Sequence, residues 1–438
     1  MSITLTDLFC GAGGSSTGAE QVPHVKVTMA ANHWRLAVDT HQANHPNTDH
    51  DCADISQVDP RRYPPTDILW ASPSCTNHSI AKGVKRRQQA ETRRQDLLGL
   101  LETGKPTPDD TAMRSRATMW DVIRFTEHHA YRAIIVENVV DAADWILFPA
   151  WQAALTALGY NMRQVSLNSM HAANSGLPAP QSRDRLYIVA WRTQEPAPDL
   201  EPVVRPWAHC PTHGWIHAIQ TFKNPNRHAG RYRSQYVYRC PQTSCRNTIL
   251  EPPTMPAASI IDWTNTGKRI GNRPRPLADK THTRIQIGID RYWPDTQATT
   301  RAGHPEPNNK DTPAAAANIL RTRTTSPHHH RNTPFIVELR GGSSCARPIT
   351  DPLATVTASG NHHGLATAPD DLTTNGTDVD VDDVLFRMLT PDEIKAAMAF
   401  PTGYTLLGTR NEKIRQAGNA VTPPAARDLM TAIVRTIT

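Results

Sequence analysis

Cys75 lies in the turn-forming stretch Ala71-Ser72-Pro73-Ser74-Cys75-Thr76-Asn77-His78-Ser79, directly after the apolar run Asp67-Ile68-Leu69-Trp70. A thiol at the C-terminal end of a strand stands where open α/β sheets bind ligands. Its thiolate is a nucleophile near neutral pH when the surroundings lower its pKa. Most free cysteines are small buried hydrophobes instead, so Cys75 needs chemical company. A first partner is the run Thr6-Asp7-Leu8-Phe9-Cys10-Gly11-Ala12-Gly13-Gly14-Ser15-Ser16-Thr17-Gly18-Ala19-Glu20, a strand, a glycine turn and a helix start. Glycines let backbone turn sharply and approach a ligand, and a helix N-terminus favours negative or polar groups. The spacing differs from G-x-G-x-x-G, because three residues separate Gly14 from Gly18. Further on come His33-Trp34 and Asp54-Ile55. An aromatic face with a carboxylate could hold an adenine by stacking and by accepting its amino proton.

A second group of residues has metal-ligand spacing. Cys210-Pro211-Thr212-His213 and Cys240-Pro241-Gln242-Thr243-Ser244-Cys245 are two short pairs 26 residues apart. Cys-x2-His with Cys-x4-Cys suits a tetrahedral structural zinc, each pair on a knuckle-like turn. His217 stands as an alternative ligand.

These residues need elements to position them. Residues 1–192 alternate apolar runs with amphipathic stretches: strands are expected at 4–9, 26–30, 67–70, 133–136 and 186–191, and helices at 118–129 and 149–158. Alternation of this kind predicts an α/β fold with a parallel, doubly wound, Rossmann-like sheet. From 193 to 384 the chain is rich in Pro, Thr, Arg and His, with strand-like runs at 235–239, 284–289 and 335–339. That composition predicts a second, smaller domain, with a zinc-ribbon-like module at 207–250. Periodicity returns from 385, with helices expected at 391–399 and 425–436.

Bulk properties narrow the class. The chain has 438 residues and a formal net charge of +6, compatible with a nucleic-acid partner. Its mean hydropathy is -0.51, and no apolar run approaches the roughly 20 residues of a membrane span. A strand-like start at Ile3 leaves no room for a signal peptide. Seven scattered cysteines argue against a secreted disulfide framework, so a cytoplasmic location is expected.

The order of motifs carries a specific likeness. Phe9-x-Gly11-x-Gly13, Pro73-Ser74-Cys75, Glu137-Asn138-Val139, Gln181-Ser182-Arg183-Asp184-Arg185 and Gly418-Asn419-Ala420-Val421 together resemble the DNA cytosine-5 methyltransferases. The likeness spans Phe9 to Val421 but leaves the middle segment uncovered. It implies S-adenosylmethionine as methyl donor and a cytosine flipped out of double-stranded DNA. It also implies a donor site of Phe9, Gly11, Gly13, Trp34, Asp54, Ile55 and Asn419 with His33 beside them, and a last segment, 410–438, that returns to the first domain.

The chemistry asks for such residues. Carbon 5 of cytosine is a poor nucleophile until a group adds to carbon 6, and a Cys75 thiolate would add there. A carboxyl group at ring N3 offsets the developing charge, a role for Glu137. Arg183 and Arg185, two apart on a strand, would share a face, hold the base carbonyl and orient Cys75.

The chain departs from the family pattern at three positions. Asn32-His33-Trp34 has no carboxylate where many members hold the donor ribose, and a His cannot match a bidentate acceptor. Ser74 and Thr76 replace the usual Pro and Gln around the Cys. The stretch from Ile80 to Arg116 is long for a catalytic loop, and its Lys82, Lys85, Arg86, Arg87, Arg93 and Arg94 could meet DNA phosphates. In the middle segment, Arg231, Arg233 and Arg239 would form one strand face and Tyr232, Tyr236 and Tyr238 the other, giving a basic surface for target recognition. A monomer, with or without a cognate restriction endonuclease, fits this reading. An RNA-directed relative, a catalytically silent DNA-binding homologue and transfer of a modified one-carbon group from an altered donor stay open.

Overall fold

The computed structural model describes residues 2–73, 108–293, 333–340, 345–369 and 379–437. Cys75 and the basic stretch that follows it lie outside the described residues. Seven strands form the central sheet: β1 (Ile3–Leu8), β2 (Val25–Ala31), β3 (Asp49–Asp51), β4 (Ile68–Ala71), β5 (Ala133–Asn138), β6 (Tyr160–Asn168) and β7 (Asp184–Arg192), in the order β3-β2-β1-β4-β5-β7-β6. The β1 to β5 pairings are parallel, whereas β7 is antiparallel to both β5 and β6. The sheet is therefore mixed, which corrects the all-parallel expectation. The order reverses between β1 and β4, so their carboxyl ends open the crevice where such sheets bind ligands.

Alternation along each strand builds two cores. Leu5, Trp70, Ile135, Tyr187 and Val189 face one side, where they meet Leu429 and Ile433 of the helix Pro423–Ile437. Leu8, Leu69, Ile134, Val136 and Ile188 face the other, against Met119, Val122 and Phe125 of the helix Pro108–His129 and Trp151 of the helix Phe148–Ala157. The C-terminal helix approaches the helix Gly14–Glu20 so closely that a Cβ at Gly14 would run into the Val421 carbonyl and one at Gly18 into that of Pro423. Those two glycines serve helix packing rather than a ligand.

The middle of the chain builds β8 (Trp207–Cys210) and β9 (Gly214–His217) as a hairpin, and β10 (Ile219–Phe222), β11 (Tyr236–Arg239) and β12 (Ile249–Leu250) as a three-stranded antiparallel sheet. A second antiparallel sheet follows, from β13 (Lys268–Arg269), β14 (Phe335–Glu338), β15 (Ala346–Pro348), β16 (His363–Thr367) and β17 (Leu385–Met388), in the order β13-β17-β16-β14-β15. The expected strand at 284–289 is instead part of the helix Asp279–Tyr292. Its Ile285-Gln286-Ile287-Gly288-Ile289 mimics a two-residue period, but Ile285, Gly288 and Ile289 are the buried set, which is helical spacing. Gly288 lets that helix sit directly on the Phe335 ring.

Candidate active site

Three strand ends deliver most of the expected donor residues to one edge, and a fourth leads toward Cys75. Phe9 and Gly11 follow β1, His33 and Trp34 follow β2, Asp54 and Ile55 follow β3, and Pro73 follows β4. The turn after β1 is left-handed at Phe9, Gly11 and Gly13, with φ of 59°, 55° and 88°. A Cβ at Gly11 would meet no atom within 4 Å, while one at Gly13 would strike the Tyr404 hydroxyl, which donates to the Ala12 carbonyl. Trp34 caps the helix Arg35–Asn44 with its backbone held by the Asn32 side chain, and the Arg415 guanidinium lies over its ring at 4.7 Å. Asp54 is exposed and accepts from the Ser56 amide and hydroxyl, at 3.1 and 2.9 Å. Ile55 is buried, its carbonyl held by Arg124 at 2.6 Å. His33 is exposed, as is Asn419 at the end of the helix Arg410–Asn419.

Beneath the turn lies a polar network with no counterpart in the sequence reading. Asp7 is fully buried and accepts from Ser15 and Ser16, at 2.6 and 2.7 Å. Burial pushes its carboxyl up to about 6 against the lowering effect of those two hydroxyls. Ser16 also meets His41 at 2.9 Å, and His41 meets His50 at 2.8 Å. Burial, with His45 and His50 nearby, holds His41 well below the usual histidine range.

Two of the expected catalytic groups, Glu137 and Arg185, meet across β5 and β7. Glu137 is the next-to-last residue of β5, where its register partner on β7 is Tyr187. Its Oε1 lies 2.7 Å from Nε of Arg185, and both side chains are largely enclosed, at 10% and 14% exposure. The next residue, Asn138, donates from Nδ2 to the Pro73 carbonyl at 3.3 Å, tying the end of β5 to the segment that leads into Cys75. The positions of the thiol and of Ser74 and Thr76 lie outside the described residues.

Arg183 does not share this place. It precedes the first residue of β7, is 2% exposed, and donates to the carbonyls of Val356, Gly418 and Ala420 at 2.9 to 3.0 Å. The expectation that both guanidiniums face one ligand is thus corrected: strand alternation does not extend to Arg183, which ties β7 to the C-terminal motif. Gln181 adds to the same tie, accepting from the Val356 amide at 2.6 Å. Gly418 is required there, since a Cβ would collide with the Thr357 backbone.

A model of the family described as C-5 cytosine-specific DNA methylase matches residues 3–435. The chain belongs to that family. Among curated methylases it is similar to the Type II methyltransferase M.Bsp6I of Bacillus sp. (strain RFL6), 26% identical over 44% of this chain and 53% of that protein. It is also similar to M.NlaX of Neisseria lactamica, 29% identical over 43% of this chain and 51% of that protein. The matched part thus spans about half the length of these relatives. Among solved structures, the Entamoeba histolytica methyltransferase EhMeth aligns over 100% of this chain and 99% of that one, with a TM-score of 0.53 at 12% identity. The S. pombe Dnmt2 methyltransferase aligns over 99% of each chain, with a TM-score of 0.52 at 12% identity. At these identities the likeness shows the fold.

Membership of the methylases implies S-adenosylmethionine. The residues present fit such a group: Gly11 is backed by open space, unlike Gly13, Gly14 and Gly18 of the same turn, so a cradle remains beside the end of β1. Trp34 follows the neighbouring strand β2, and Asp54 follows β3 beyond it, at the same end of the sheet.

The chain also carries a cluster outside this crevice. The donor atoms of Cys210, His213, Cys240 and Cys245 all lie within 4.8 Å of one another. Nδ1 of His213 is 3.4 Å from the sulfurs of both Cys210 and Cys240, and its Nε2 meets the Ser244 hydroxyl at 2.8 Å. His217 is not part of it; its ring meets the Arg205 carbonyl and stacks on Trp207 at 3.9 Å. The basic face expected on 231–239 is not formed. Arg233 is left-handed, with φ of 62°, which breaks the strand. Arg231 pairs with Asp141 at 2.6 Å, Arg233 with Glu251 at 2.9 Å, and Arg239 donates to the Asn247 carbonyl. Tyr236 and Tyr238 are fully buried, and Tyr232 nearly so. Among the described residues, no helix is long and apolar enough to cross a membrane.

Proposed function

We propose that this chain transfers a methyl group to carbon 5 of a cytosine flipped out of double-stranded DNA, with the Cys75 thiolate as nucleophile. The observation that carries the reading is the enclosed Glu137–Arg185 pair at 2.7 Å, joined through Asn138 to the segment entering Cys75. The thiolate adds to carbon 6, which makes carbon 5 an enamine carbon. Glu137 holds the proton at N3 as charge develops there, while Arg185 donates to the base carbonyl and fixes Glu137. Arg183 is a positioning residue. S-adenosylmethionine, held by Phe9, Gly11, Gly13, Trp34, Asp54, Ile55 and Asn419, supplies an electrophilic methyl on sulfonium sulfur. Carbon 5 then gives up its proton to a base, and the pair left on carbon 5 re-forms the ring double bond as Cys75 departs.

In this reading residues 1–192 and 410–438 form the catalytic lobe and 193–384 recognise the target sequence. A structural zinc on Cys210, His213, Cys240 and Cys245 closes part of that second lobe. The chain works as a cytoplasmic monomer, and modification by it would protect DNA from a cognate endonuclease. Purified protein given plasmid DNA and methyl-labelled S-adenosylmethionine tests the reading. Label recovered as 5-methylcytosine supports it; label on RNA only, a different cytosine adduct, or no transfer alongside intact DNA binding would favour one of the rivals.

A further inference from the structure

We propose that the zinc-closed module is a brace that positions the Glu137–Arg185 pair, with Arg231 and Tyr232 as its two points of grip. The proposal rests on the methyl-transfer and zinc assignments above. Three sulfurs and one imidazole nitrogen form a donor set that selects Zn2+ over harder cations. The Ser244 hydroxyl on Nε2 fixes the His213 ring with Nδ1 turned toward the two nearest sulfurs, the supporting contact expected of a ligating histidine. The module also needs a staple. Its core is small, with Ala208, Ala218, Leu250 and three tyrosines around Cys210 and Cys240 themselves, and domains of such size seldom close without a metal or disulfide.

What the module touches gives the site its purpose. Arg231 ion-pairs at 2.6 Å with Asp141, an 8%-exposed carboxylate in the turn Val140–Asp144 that directly follows Glu137-Asn138-Val139. The Tyr232 amide donates at 2.9 Å to Asp184, the residue before Arg185. One short loop therefore grips the flank of each partner in the catalytic pair. That loop is anchored in the module: Arg231 and Gln235 exchange hydrogen bonds of 2.8 Å, and the Tyr232 ring packs with Tyr236 and Tyr238 beside Cys240. His171, from the sheet side, presents its ring edge-on to Tyr232 and Tyr238, at 4.5 and 5.1 Å. Two further hydrogen bonds, Gly230 amide to Ser166 hydroxyl and Gln220 to the Ser166 carbonyl, fix the module on β6. A loosened brace would let the pair drift without removing any group that touches substrate.

Three measurements on the full chain test this. Plasma emission should find about one zinc per chain, and a chain that neither carries zinc nor takes it up when supplied overturns the metal half. Hydrogen exchange before and after zinc removal reads the brace without activity. Protection should fall in peptides spanning 137–144 and 184–187 as well as in the module, whereas loss confined to 205–251 overturns it. Arg231→Ala, which leaves every metal ligand in place, should retain zinc and lower kcat on the order of 10- to 100-fold, with the KM for S-adenosylmethionine unchanged and partial recovery in Arg231→Lys. A raised KM for DNA at unchanged kcat would make Arg231 a DNA-binding residue and overturn the proposal. If the native chain transfers no methyl group, the methyl-transfer reading fails by itself, and the exchange result still decides the brace.

Discussion

Replacing Arg183 and Arg185 in parallel separates a structural tie from a catalytic contact. Arg183 is buried, and three buried carbonyls depend on it. Arg183→Met keeps much of the stem and leaves those carbonyls without their donor. Each unmade bond costs about 1–3 kcal/mol, while removing a desolvated charge returns part of that. The expected net loss is about 2–5 kcal/mol, on the scale of a whole domain's stability. Arg185→Lys keeps a cation within reach of Glu137 in a site that is 14% exposed, so its stability cost is about 1 kcal/mol or less. It loses the planar fork that could hold a base carbonyl and Glu137 together, so its methyl transfer should fall far more than its stability. Urea unfolding followed by tryptophan fluorescence, beside methyl-transfer rates on the same preparations, gives both numbers. An Arg183→Met protein as stable as the native chain, with binding of the target base lost, would refute the assignment of Arg183 to the C-terminal motif.

Other predictions follow from the same geometry. Gly14→Ala should destabilise by about 1–3 kcal/mol through overpacking against the Val421 carbonyl, whereas Gly11→Ala, with open space but φ of 55°, should chiefly weaken donor binding; thermal melts and donor titrations distinguish them. Acid should destabilise the fold between pH 6.5 and 3. Burial lowers His171 and His363 to about 3, so the unfolded chain takes up their protons first and stability present above pH 6.5 is lost as pH falls, at about 1.4 kcal/mol per unit each. Asp7, raised to about 6, acts in the opposite sense between pH 6 and 3.8, so these three groups together leave a loss of about 3 kcal/mol at pH 5, to which His41, held well below the usual range, adds in the same sense. His171→Phe should remove one histidine's share of the slope in urea midpoints measured at pH 7.5 and 5, and an unchanged slope would contradict this. His33→Glu should tighten S-adenosylmethionine binding in calorimetric titration, and equal affinities would show that the missing carboxylate does not matter.

The sequence made β4, β5 and β7 legible because burial on both faces leaves near-continuous hydrophobic runs, and β1 legible by the alternation of Ile3, Leu5 and the residues between them. β3, which reads Asp49-His50-Asp51, has no such run, and β6 lies at the sheet edge with Arg163 and Gln164 partly exposed. Neither has a local signal. The antiparallel course of β7 is likewise set by sheet topology rather than by its own composition. Cysteine spacing was sufficient to assemble Cys210, His213, Cys240 and Cys245, because short pairs on tight turns need only one long-range contact to meet. Glycines were ambiguous: Gly11 faces open space, while Gly14 and Gly18 admit a helix from some 400 residues away. The Arg183-x-Arg185 spacing misled because the strand begins at Asp184. The grip of Arg231 on Asp141 joins residues 90 apart and left no local trace.

Cys75 stands at the centre of the proposed methyl transfer to cytosine carbon 5 in DNA. Base-resolution mapping of 5-methylcytosine in the DNA of cells expressing the native chain and Cys75→Ser tests it most directly. Methylation at a defined sequence is expected with the native chain and none with Cys75→Ser, although that variant still binds DNA. Equal methylation by the two proteins, or none above the vector control with the native chain, would contradict it.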